Sequence, residues 1–342
     1  MSRFNSFLAN IKLFFSRLRP KLSLDFGSSR TRVMIDQSLV WDQPTLLAWH
    51  SHHQAVTAVG EKAASLRGKT PAYIQLVAPI QQGVIAELDW AKLYLKAVLN
   101  HLRFEKKLNS WLPVSCHLVI PANSSPLEVD QFKFTLEQAG MKVKKIIIKP
   151  QAIIALNELK QLNQAHGVID LGAQTTDVGI FVGQELIRAV TLTVANGDDF
   201  TQAVMEQVLT EYDLKIGWAA AQQIKHQLGA LLNSSGIIKT SVVTVRGKHT
   251  KTHLVTAVRV KSSSFQARFQ QLANLLIDEL KEVISELPAE VVIQLQEQGF
   301  YLTGGNSQLP DWQVVLKEAL LTPVIISKSP QIDAVKGLSC VR

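Results

Sequence analysis

The feature that most constrains the fold of this sequence is a short pattern that occurs twice, 145 residues apart. Residues 22–35 read LSLDFGSSRTRVMI, and residues 167–183 read GVIDLGAQTTDVGIFVG. In each copy an apolar run ends at an acid (Asp25 or Asp170), a glycine follows two residues later, and hydroxyl side chains lead into a second apolar run. Such a pattern predicts two strands joined by a tight turn. Its repetition predicts that the chain is built from two related halves.

The turn of the second copy has the composition of a phosphate-binding loop. Gly172 can adopt a positive φ and lets backbone N–H groups approach a ligand closely. The hydroxyls of Thr175 and Thr176, with the acids on either side of the turn, could bind phosphate and the water shell of Mg²⁺. Many structural turns also carry a glycine two residues after an aspartate, so a purely structural turn is the alternative for either copy taken alone.

The composition favours a two-domain protein of a reducing compartment. With 342 residues and 46% hydrophobic content, the chain can bury two sizeable cores. Its two cysteines, Cys116 and Cys340, have neither the spacing of a metal site nor that of a disulfide framework. We therefore expect both thiols to be structural.

The net charge of the chain is +8, and most of this excess of positive charge lies near the N-terminus. Residues 1–21 contain five basic side chains and no acid, and the remaining body has 31 basic against 28 acidic residues. The sequence has no zinc-finger or helix-turn-helix pattern and no basic segment interleaved with aromatics. It therefore predicts no nucleic-acid partner.

Residues 1–19 predict an amphipathic helix of about five turns, which Pro20 ends. Lys12 and Arg17 interrupt its apolar stretch, which excludes a transmembrane helix, and the uninterrupted core of a signal peptide is missing. We predict that the helix lies in the plane of an anionic membrane surface, where each exposed base adds about 1 kcal/mol of binding free energy. A helix packed on the protein's own body is the alternative. The apolar side chains at helical spacing are Phe4, Phe7, Leu8, Ile11, Phe14, Phe15 and Leu18.

Glu128 is a candidate catalytic residue. It lies in the first turn of a helix predicted from about Pro126 to Gln138. Its carboxylate either stabilises the helix through the helix dipole or faces a ligand and orients the water that attacks a phosphate.

A third glycine-bearing turn joins the predicted strand Phe300–Thr303 to a helix that starts near Leu309. Its sequence is Gly304, Gly305, Asn306 and Ser307. A glycine pair at this position leaves room for a flat ring or a phosphate against the backbone. A tight strand-to-helix turn without a ligand is the alternative.

These stretches together resemble the MreB family, the bacterial actins, over residues 22–341. The resemblance implies an α/β protein with the actin-like ATPase fold, in which two related domains each have a mixed five-stranded sheet flanked by helices, with a nucleotide cleft between them. The matching stretches are LDFGSSRTRV, QPTLLA, AVGEKAASLRGKTP, APIQQGVIAELD, VIPANSSPLEVDQF, VIDLGAQTTDVGIFV, NGDDFTQAV, IKHQLGA, LTGGNSQL and AVKG.

The resemblance also implies domain boundaries. We expect an anchor helix, two actin-like domains, an insertion in each domain, and a C-terminal segment that returns towards the first domain. The expected ranges are 1–20 for the anchor, 21–150 for the first domain with a β-rich insertion near 38–75, 151–342 for the second with a subdomain near 195–262, and 330–342 for the returning segment.

The resemblance implies roles for individual residues at a site for ATP and Mg²⁺. Asp25 and Asp170 would hold Mg²⁺ through its water shell, and Glu128 would position the hydrolytic water. Two phosphate turns would contact the phosphates, two helical side chains would contact the nucleoside, and the glycine turn would lie on the adenine side. These residues are Ser28, Ser29, Arg30, Gly172, Ala173, Gln174, Thr175, Gln222, Lys225, Gly304, Gly305, Asn306 and Ser307.

Several residues depart from the family pattern. Ala173 and Gln174 replace glycines and add two β-carbons where backbone should approach phosphate, which should slow in-line hydrolysis. The loss of acids and the gain of bases raise the positive potential near the phosphates, which favours ATP binding. We therefore expect ATP binding with weak ATPase activity. The other departures are Arg30 for asparagine, Ile148 and Lys149 for an acid pair, Gln222 for glutamate and Asn306 for glycine.

The resemblance implies a cytoplasmic, ATP-dependent protein that forms filaments with itself and is bound through residues 1–19 to the inner face of the cytoplasmic membrane. Such filaments organise cell-wall synthesis and rod shape, so the cell-wall elongation machinery is the implied partner. Two alternatives stay open: a membrane-docked actin-like adaptor of the FtsA or PilM kind that uses nucleotide structurally, and a sugar kinase of the same superfamily. The absence of an extra substrate-binding insertion disfavours the kinase, and the stretches GVIAE and IKHQLG favour MreB over the adaptor.

Overall fold

A computed structural model describes residues 21–105, 107–108, 114–156, 164–229, 231 and 241–341 of the chain. The predicted membrane-anchor helix at residues 1–19 lies outside the described residues. Within the described ranges, no helix is both long and apolar enough to cross a membrane.

The chain divides into two compact units, and each has its own hydrophobic core. The divisions fall between Asn157 and Glu158 and between Asp333 and Ala334. Among the described residues, the segment from Ala334 onwards therefore belongs to the first unit, together with those between residues 21 and 156.

The first unit is built on a mixed five-stranded sheet. Its strands are β1 (Lys21–Phe26), β2 (Arg30–Ile35), β3 (Ser38–Pro44), β9 (Val114–Ile120) and β10 (Met141–Ile148). They lie in the order β10-β9-β1-β2-β3, with antiparallel pairs from β1 to β3 and parallel pairs from β1 through β9 to β10. The central strand β1 is buried along almost its whole length, which is the pattern of a strand covered on both faces.

Small strands and helices complete the first unit. A three-stranded sheet of order β5-β4-β6 and a short pair β7-β8 follow β3 along the chain. The strands are β4 (Leu47–His50), β5 (Ala55–Val59), β6 (Ile74–Val77), β7 (Ile80–Gln81) and β8 (Val84–Ile85). The helices are α1 (Glu61–Ala64), α2 (Leu88–Phe104), α3 (Pro126–Gln138), α4 (Lys149–Leu156) and α10 (Asp333–Cys340).

The second unit repeats the plan of the first. Its main strands are β11 (Ala165–Leu171), β12 (Thr176–Val182), β13 (Glu185–Leu192), β17 (Phe300–Thr303) and β18 (Val324–Ile326). They lie in the order β13-β12-β11-β17-β18, with β11 to β13 antiparallel and β11 through β17 to β18 parallel. The strand β11 has the position of β1 and is buried at every residue.

Further elements surround this second sheet. A separate three-stranded sheet has the order β14-β15-β16. Its strands are β14 (Leu214–Lys215), β15 (Val242–His249) and β16 (Val255–Lys261). The helices are α5 (Gly197–Tyr212), α6 (Trp218–Leu228), α7 (Gln266–Ser285), α8 (Ala289–Gln298) and α9 (Trp312–Leu320).

The two main sheets therefore have the same strand order and the same pattern of parallel and antiparallel pairs. Each begins with one of the two repeated hairpins, β1-β2 and β11-β12. The prediction of two related α/β halves, each with a mixed five-stranded sheet flanked by helices, is confirmed.

Two histidines make the folded state sensitive to acid. His166 in β11 is 2% exposed and stacks on Phe181, and its Nε2 has no hydrogen-bond partner among the described residues. Burial lowers the pKa of His166. At His117 in β9, burial and then the charges of Lys21 and Lys145 lower the pKa to about 4. A histidine in the unfolded chain titrates near 6.5, so the unfolded chain binds protons first as the pH falls.

We expect the free energy of unfolding to fall as the pH drops from about 6.5 towards 4, because at these two histidines the unfolded chain binds protons before the folded chain does. The slope contributed by each histidine is at most about 1.4 kcal/mol per pH unit. Urea denaturation at pH 7.5, 6 and 5 measures it, and His166→Gln serves as the variant with one titrating group fewer. An unfolding free energy that is equal at pH 7.5 and pH 5 would contradict the expectation.

Candidate functional site

Asp25 lies near the end of β1 and is 6% exposed. Strand pairing places it opposite Arg32 of β2, and Arg32 Nη1 lies 3.6 Å from Asp25 Oδ2. The other carboxylate oxygen, Oδ1, is buried and has no hydrogen-bond partner in the described part of the chain. Because a buried oxygen without a partner is costly, this position suits an acid that accepts from water or from a hydrated cation.

The serines of the first turn are tied to the rest of their own unit. Ser28 Oγ accepts a hydrogen bond from the backbone N–H of Gly83 at 3.0 Å. The carbonyl of Ser29 accepts one from the N–H of Thr45 at 2.9 Å. These bonds fix the turn against the segment that follows β3.

Arg30 is bound by two carboxylates. Its Nε lies 2.6 Å from Asp42 Oδ1, and its Nη1 lies 3.2 Å from Glu61 Oε1. Asp42 is shared with Arg32, whose Nε lies 3.3 Å from the same oxygen, and Glu61 is a second partner. Arg30 is therefore paired and does not add the unpaired positive potential expected from its replacement of asparagine. The side chain instead connects the first turn to β3 and α1.

Gly172 shapes the turn of the second hairpin. Its N–H donates to the carbonyl of Thr175 at 2.9 Å, and a Cβ at this position would lie only 2.5 Å from the same oxygen. Thr175 is 4% exposed, and its Oγ1 lies 3.4 Å from Asp177 Oδ2. Asp177 also accepts from Thr191 Oγ1 at 2.7 Å. The turn is therefore closed by its own hydrogen bonds and requires glycine at its first position.

The N-terminus of α5 packs directly on this turn. The N–H of Gly197 donates to the carbonyl of Gly172 at 3.1 Å. The N–H of Asp198 donates to the carbonyl of Ala173 at 2.7 Å. Gln174 Nε2 donates to Asp198 Oδ2 at 3.0 Å. Gln174, which replaces a glycine of the family pattern, is thus held by an acid at the start of the helix.

The Gly304 turn lies against the end of β11. Gly304 has a φ of +89°, and an added Cβ would lie 2.4 Å from both Asp170 Oδ1 and the carbonyl oxygen of Leu171. Its own carbonyl accepts from Ser307 Oγ at 2.7 Å. An added Cβ at Gly305 would meet no atom of the described residues within 4 Å. Glycine is therefore required at the first position of this turn and not at the second.

Lys225 places a positive charge at the start of α5. It is 6% exposed, and its Nζ donates to the carbonyl of Gly197 at 2.9 Å. Burial lowers the pKa of Lys225 to about 8, and the charge of Asp198 acts in the opposite direction. Gln222 is half-buried and precedes Lys225 by three residues on α6, so the two side chains share one helix face.

Asn306 contributes a buried amide to the same region. It is 5% exposed, and neither Oδ1 nor Nδ2 has a hydrogen-bond partner among the residues that the structure describes. Its Cβ lies 3.4 Å from the position that a Cβ on Gly197 would occupy. A buried amide without partners is a group that a ligand or a water can satisfy.

Glu128 caps the helix in which it lies. The N–H of Ser125 donates to Glu128 Oε2 at 2.7 Å, and the N–H of Glu128 donates to Ser125 Oγ at 3.3 Å. This reciprocal pair is a capping box at the start of α3. The structure thus shows that Glu128 stabilises the start of its own helix. The positioning of a hydrolytic water by Glu128 stays a prediction.

Two substitutions of Glu128 separate these roles. Glu128→Ala removes the carboxylate half of the capping box, while its backbone N–H still donates to Ser125 Oγ, and it is expected to lower the free energy of unfolding by about 0.5 kcal/mol. Glu128→Gln is expected to leave it unchanged, because an amide oxygen still accepts from Ser125. Urea denaturation checks both values. A Glu128→Gln chain that releases less phosphate from ATP at unchanged stability supports the role in positioning water, whereas unchanged release limits Glu128 to capping.

The structure brings the sequence-predicted residues together in groups within each unit. In the second unit, Asp170, the turn at residues 172–175, the turn at residues 304–307 and Lys225 meet around the start of α5. In the first unit, the β1-β2 hairpin carries Asp25 and then the turn of Ser28, Ser29 and Arg30. Glu128 lies in the first turn of α3.

The sequence reasoning missed the part played by Gly197 and Asp198, which connect the second turn to Lys225 and Gln174. A signal was available in the stretch NGDD. Asn196 accepts from the N–H groups of Asp198 and Asp199, and Asp199 accepts from the N–H of Asn196. An Asn followed three residues later by an acid is a helix-start pattern, so it predicts where the helix N–H groups lie.

Two units with one strand order, each opening with an acid-ended hairpin, define an actin-like protein. The chain is similar to MreB5 of Spiroplasma citri, solved with bound ADP, with a TM-score of 0.84 and 21% identity over 93% of this chain and 94% of that one. It is also similar to MamK in a double helical filament, with a TM-score of 0.75 and 19% identity over 93% of this chain and 97% of that one. These similarities establish the actin-like fold.

The sequence narrows the class further. It matches the MreB/Mbl protein family over residues 19–342. It is 24% identical over 312 residues to the cell shape-determining protein Mbl of Bacillus subtilis (strain 168), which covers 90% of this chain and 91% of that protein. The chain belongs to the MreB/Mbl family.

Proposed function

We propose that this chain binds ATP with Mg²⁺, assembles into filaments with itself, and acts at the inner face of the cytoplasmic membrane in organising cell-wall synthesis and rod shape. Membership of the MreB/Mbl family supports the role in cell shape, because the similar Bacillus subtilis protein carries that name. The similarity to MamK in a double helical filament supports self-assembly.

The observation that carries the nucleotide assignment is the group of residues around the start of α5. Two glycines, Gly172 and Gly304, stand where no side chain fits, and Lys225 holds a buried positive charge beside them. This combination suits a phosphate ligand, because glycines let backbone N–H groups come close to the phosphate oxygens and the positive charge attracts them. Asp25 and Asp170 supply the carboxylate oxygens that a hydrated Mg²⁺ prefers. The solved MreB5 of Spiroplasma citri holds ADP, which agrees with this assignment.

Slow hydrolysis is part of the proposal. Gln174 occupies a position that the family pattern gives to glycine and is fixed by Asp198. The carboxylate of Glu128 is engaged in the capping box of α3. Both arrangements disfavour rapid alignment of an attacking water, and small misplacements reduce in-line transfer strongly.

Membrane attachment is proposed to run through residues 1–19, whose basic and aromatic amphipathic pattern suits an anionic lipid surface. The protein would then be cytoplasmic and peripheral on the inner membrane, where the cell-wall elongation machinery is its expected partner.

Vesicle pelleting combined with electron microscopy tests the proposal. The full chain and a chain lacking residues 1–19 are incubated with anionic vesicles, with ATP, with ADP and without nucleotide. We expect filaments of the full chain on vesicles with ATP, and weaker pelleting of the shortened chain at unchanged ATP binding. Calorimetry that detects no ATP binding at millimolar concentration would contradict the nucleotide assignment, and bound ATP without filaments would contradict the assembly.

A further inference from the structure

A long stretch of the second unit has basic residues and no acid. Between Asp213 and Asp278 the sequence contains nine Lys or Arg residues and no Asp or Glu. The stretch includes all of the β14-β15-β16 sheet. Residues 22–342 are close to neutral in total. They nevertheless contain this strongly positive segment, because acids elsewhere in the sequence offset its charge.

The β14-β15-β16 sheet directs five of these nine charges outwards. Along β15 and β16 the side chains alternate, with Val245 and Val260 buried on the inner face at 4% and 0% exposure. The outward positions carry cations on all three strands, and each of these cations is exposed. We call this set the basic sheet face; it consists of Lys215, Arg246, Lys248, Arg259 and Lys261.

The arrangement is unfavourable for the isolated protein. Lys215 and Lys248 are direct partners in the antiparallel register of β14 and β15, and like charges at opposed positions destabilise a sheet. No salt bridge to any cation of the basic sheet face is found within the part of the chain that the structure describes. Glu211 interacts electrostatically with Lys261 at one edge of the sheet. Charge of one sign along the other positions of this face favours an anionic partner.

The end of the sheet adds exposed aliphatic side chains. Leu254 is 68% exposed and Val255 is 80% exposed, and Val255 is the register partner of Lys248. The outward positions of the sheet carry no Phe, Tyr or Trp, the side chains on which sheet-based nucleic-acid binders stack bases. Aliphatic side chains beside lysines are instead suited to a bilayer interface, which takes the apolar groups while the charged ends stay among the headgroups.

We propose that the basic sheet face is a second membrane-contact surface, which binds the headgroups of anionic phospholipids while Leu254 and Val255 enter the interface. This surface lies in a different unit from β1, which follows residues 1–19 directly in the chain. It relies on the proposed function only for the location of the protein at the inner membrane. Each base close to an anionic surface strengthens binding about fivefold, so the five together form a strong contact.

Vesicle binding of full-length variants tests the surface. The test variant is Arg246→Gln, Lys248→Gln and Arg259→Gln. The matched control is Lys281→Gln, Lys317→Gln and Lys328→Gln, which removes the same charge from exposed positions of the same unit. Vesicles of phosphatidylcholine with about 30% phosphatidylglycerol are the probe. We expect the test variant to bind at least about tenfold more weakly than the unaltered chain and the control to stay within about twofold. Equal melting temperatures confirm that both variants fold.

Equal binding of the two triple variants would overturn the proposal. It would also be overturned if the test variant lost binding to a 20-base-pair DNA duplex and retained binding to vesicles. A Leu254→Ser, Val255→Ser chain is expected to bind the vesicles more weakly as well.

The chain lacking residues 1–19 distinguishes this surface from the N-terminal anchor. If that chain keeps vesicle binding that depends on Arg246, Lys248 and Arg259, the basic sheet face stands and the anchor is not required. If the triple substitution leaves vesicle binding unchanged while removal of residues 1–19 abolishes it, the anchor stands and the basic sheet face is refuted.

Discussion

Replacing Gly304 with alanine is expected to lower the free energy of unfolding by about 3 kcal/mol and to abolish detectable ATP binding. Gly304 has a φ of +89°, which an alanine adopts only with strain. The new Cβ would lie 2.4 Å from both Asp170 Oδ1 and the carbonyl of Leu171. Both groups belong to the buried end of β11, so they cannot move away cheaply. Any shift that relieves the overlap displaces the carboxylate that is predicted to hold Mg²⁺.

The neighbouring residue provides a matched control. Gly305→Ala introduces the same methyl group one position later, where no atom of the described residues lies within 4 Å. We expect its stability and ATP affinity to stay close to those of the unaltered chain. Urea denaturation and titration calorimetry measure the two quantities. A Gly304→Ala chain as stable as Gly305→Ala would show that the turn relaxes freely, and normal ATP binding by it would remove the turn from the nucleotide site.

The parts of the fold that were predictable are those set by local sequence. The two hairpins follow from apolar runs separated by a glycine turn, and their repetition led to two sheets with one strand order. The capping box of Glu128 was also predictable, because Ser125 precedes Glu128 by three residues. The sequence analysis predicts only the weaker interaction of Glu128 with the helix dipole.

The parts that were not predictable depend on residues far apart in the chain. Arg30 was expected to add positive potential, yet its partners Asp42 and Glu61 lie 12 and 31 residues away and are brought to it by the folding of the segment after β2. The hydrogen bond from Lys225 to the carbonyl of Gly197 spans 28 residues and joins two helices. No periodicity or motif encodes such pairs, since tertiary packing sets them.

The basic sheet face illustrates an intermediate case. Its acid-free stretch is visible in the sequence, but the net charge of the whole body hides it, because acids elsewhere in the chain cancel its positive charge. The structure adds the alternation that sends the cations to one face and the register that places Lys215 opposite Lys248. A charge count over windows of about one subdomain would have revealed the signal.

Lys225→Met is the second substitution for which we expect a large effect. Methionine keeps the length and apolar stem of the side chain but removes the charge and the hydrogen bond to Gly197. We expect the ATP dissociation constant to rise by about 30-fold, which corresponds to roughly 2 kcal/mol for a charge-assisted bond to a phosphate. Titration calorimetry measures it. Lys281→Met, at an exposed position of the same unit, is the control and is expected to bind ATP normally.

The protonation of Lys225 gives this prediction a second readout. Its pKa is about 8 in the free protein, so a sizeable fraction of Lys225 is neutral at pH 8.5. A bound triphosphate would favour the charged form and raise this pKa, so ATP binding at pH 8.5 should take up protons and its affinity should decline as the pH rises above about 8. Calorimetry in two buffers of different ionisation enthalpy measures the uptake, which should vanish in Lys225→Met. If both chains took up equal numbers of protons, the triphosphate would not lie near Lys225, and the phosphate site would have to be sought away from the start of α5.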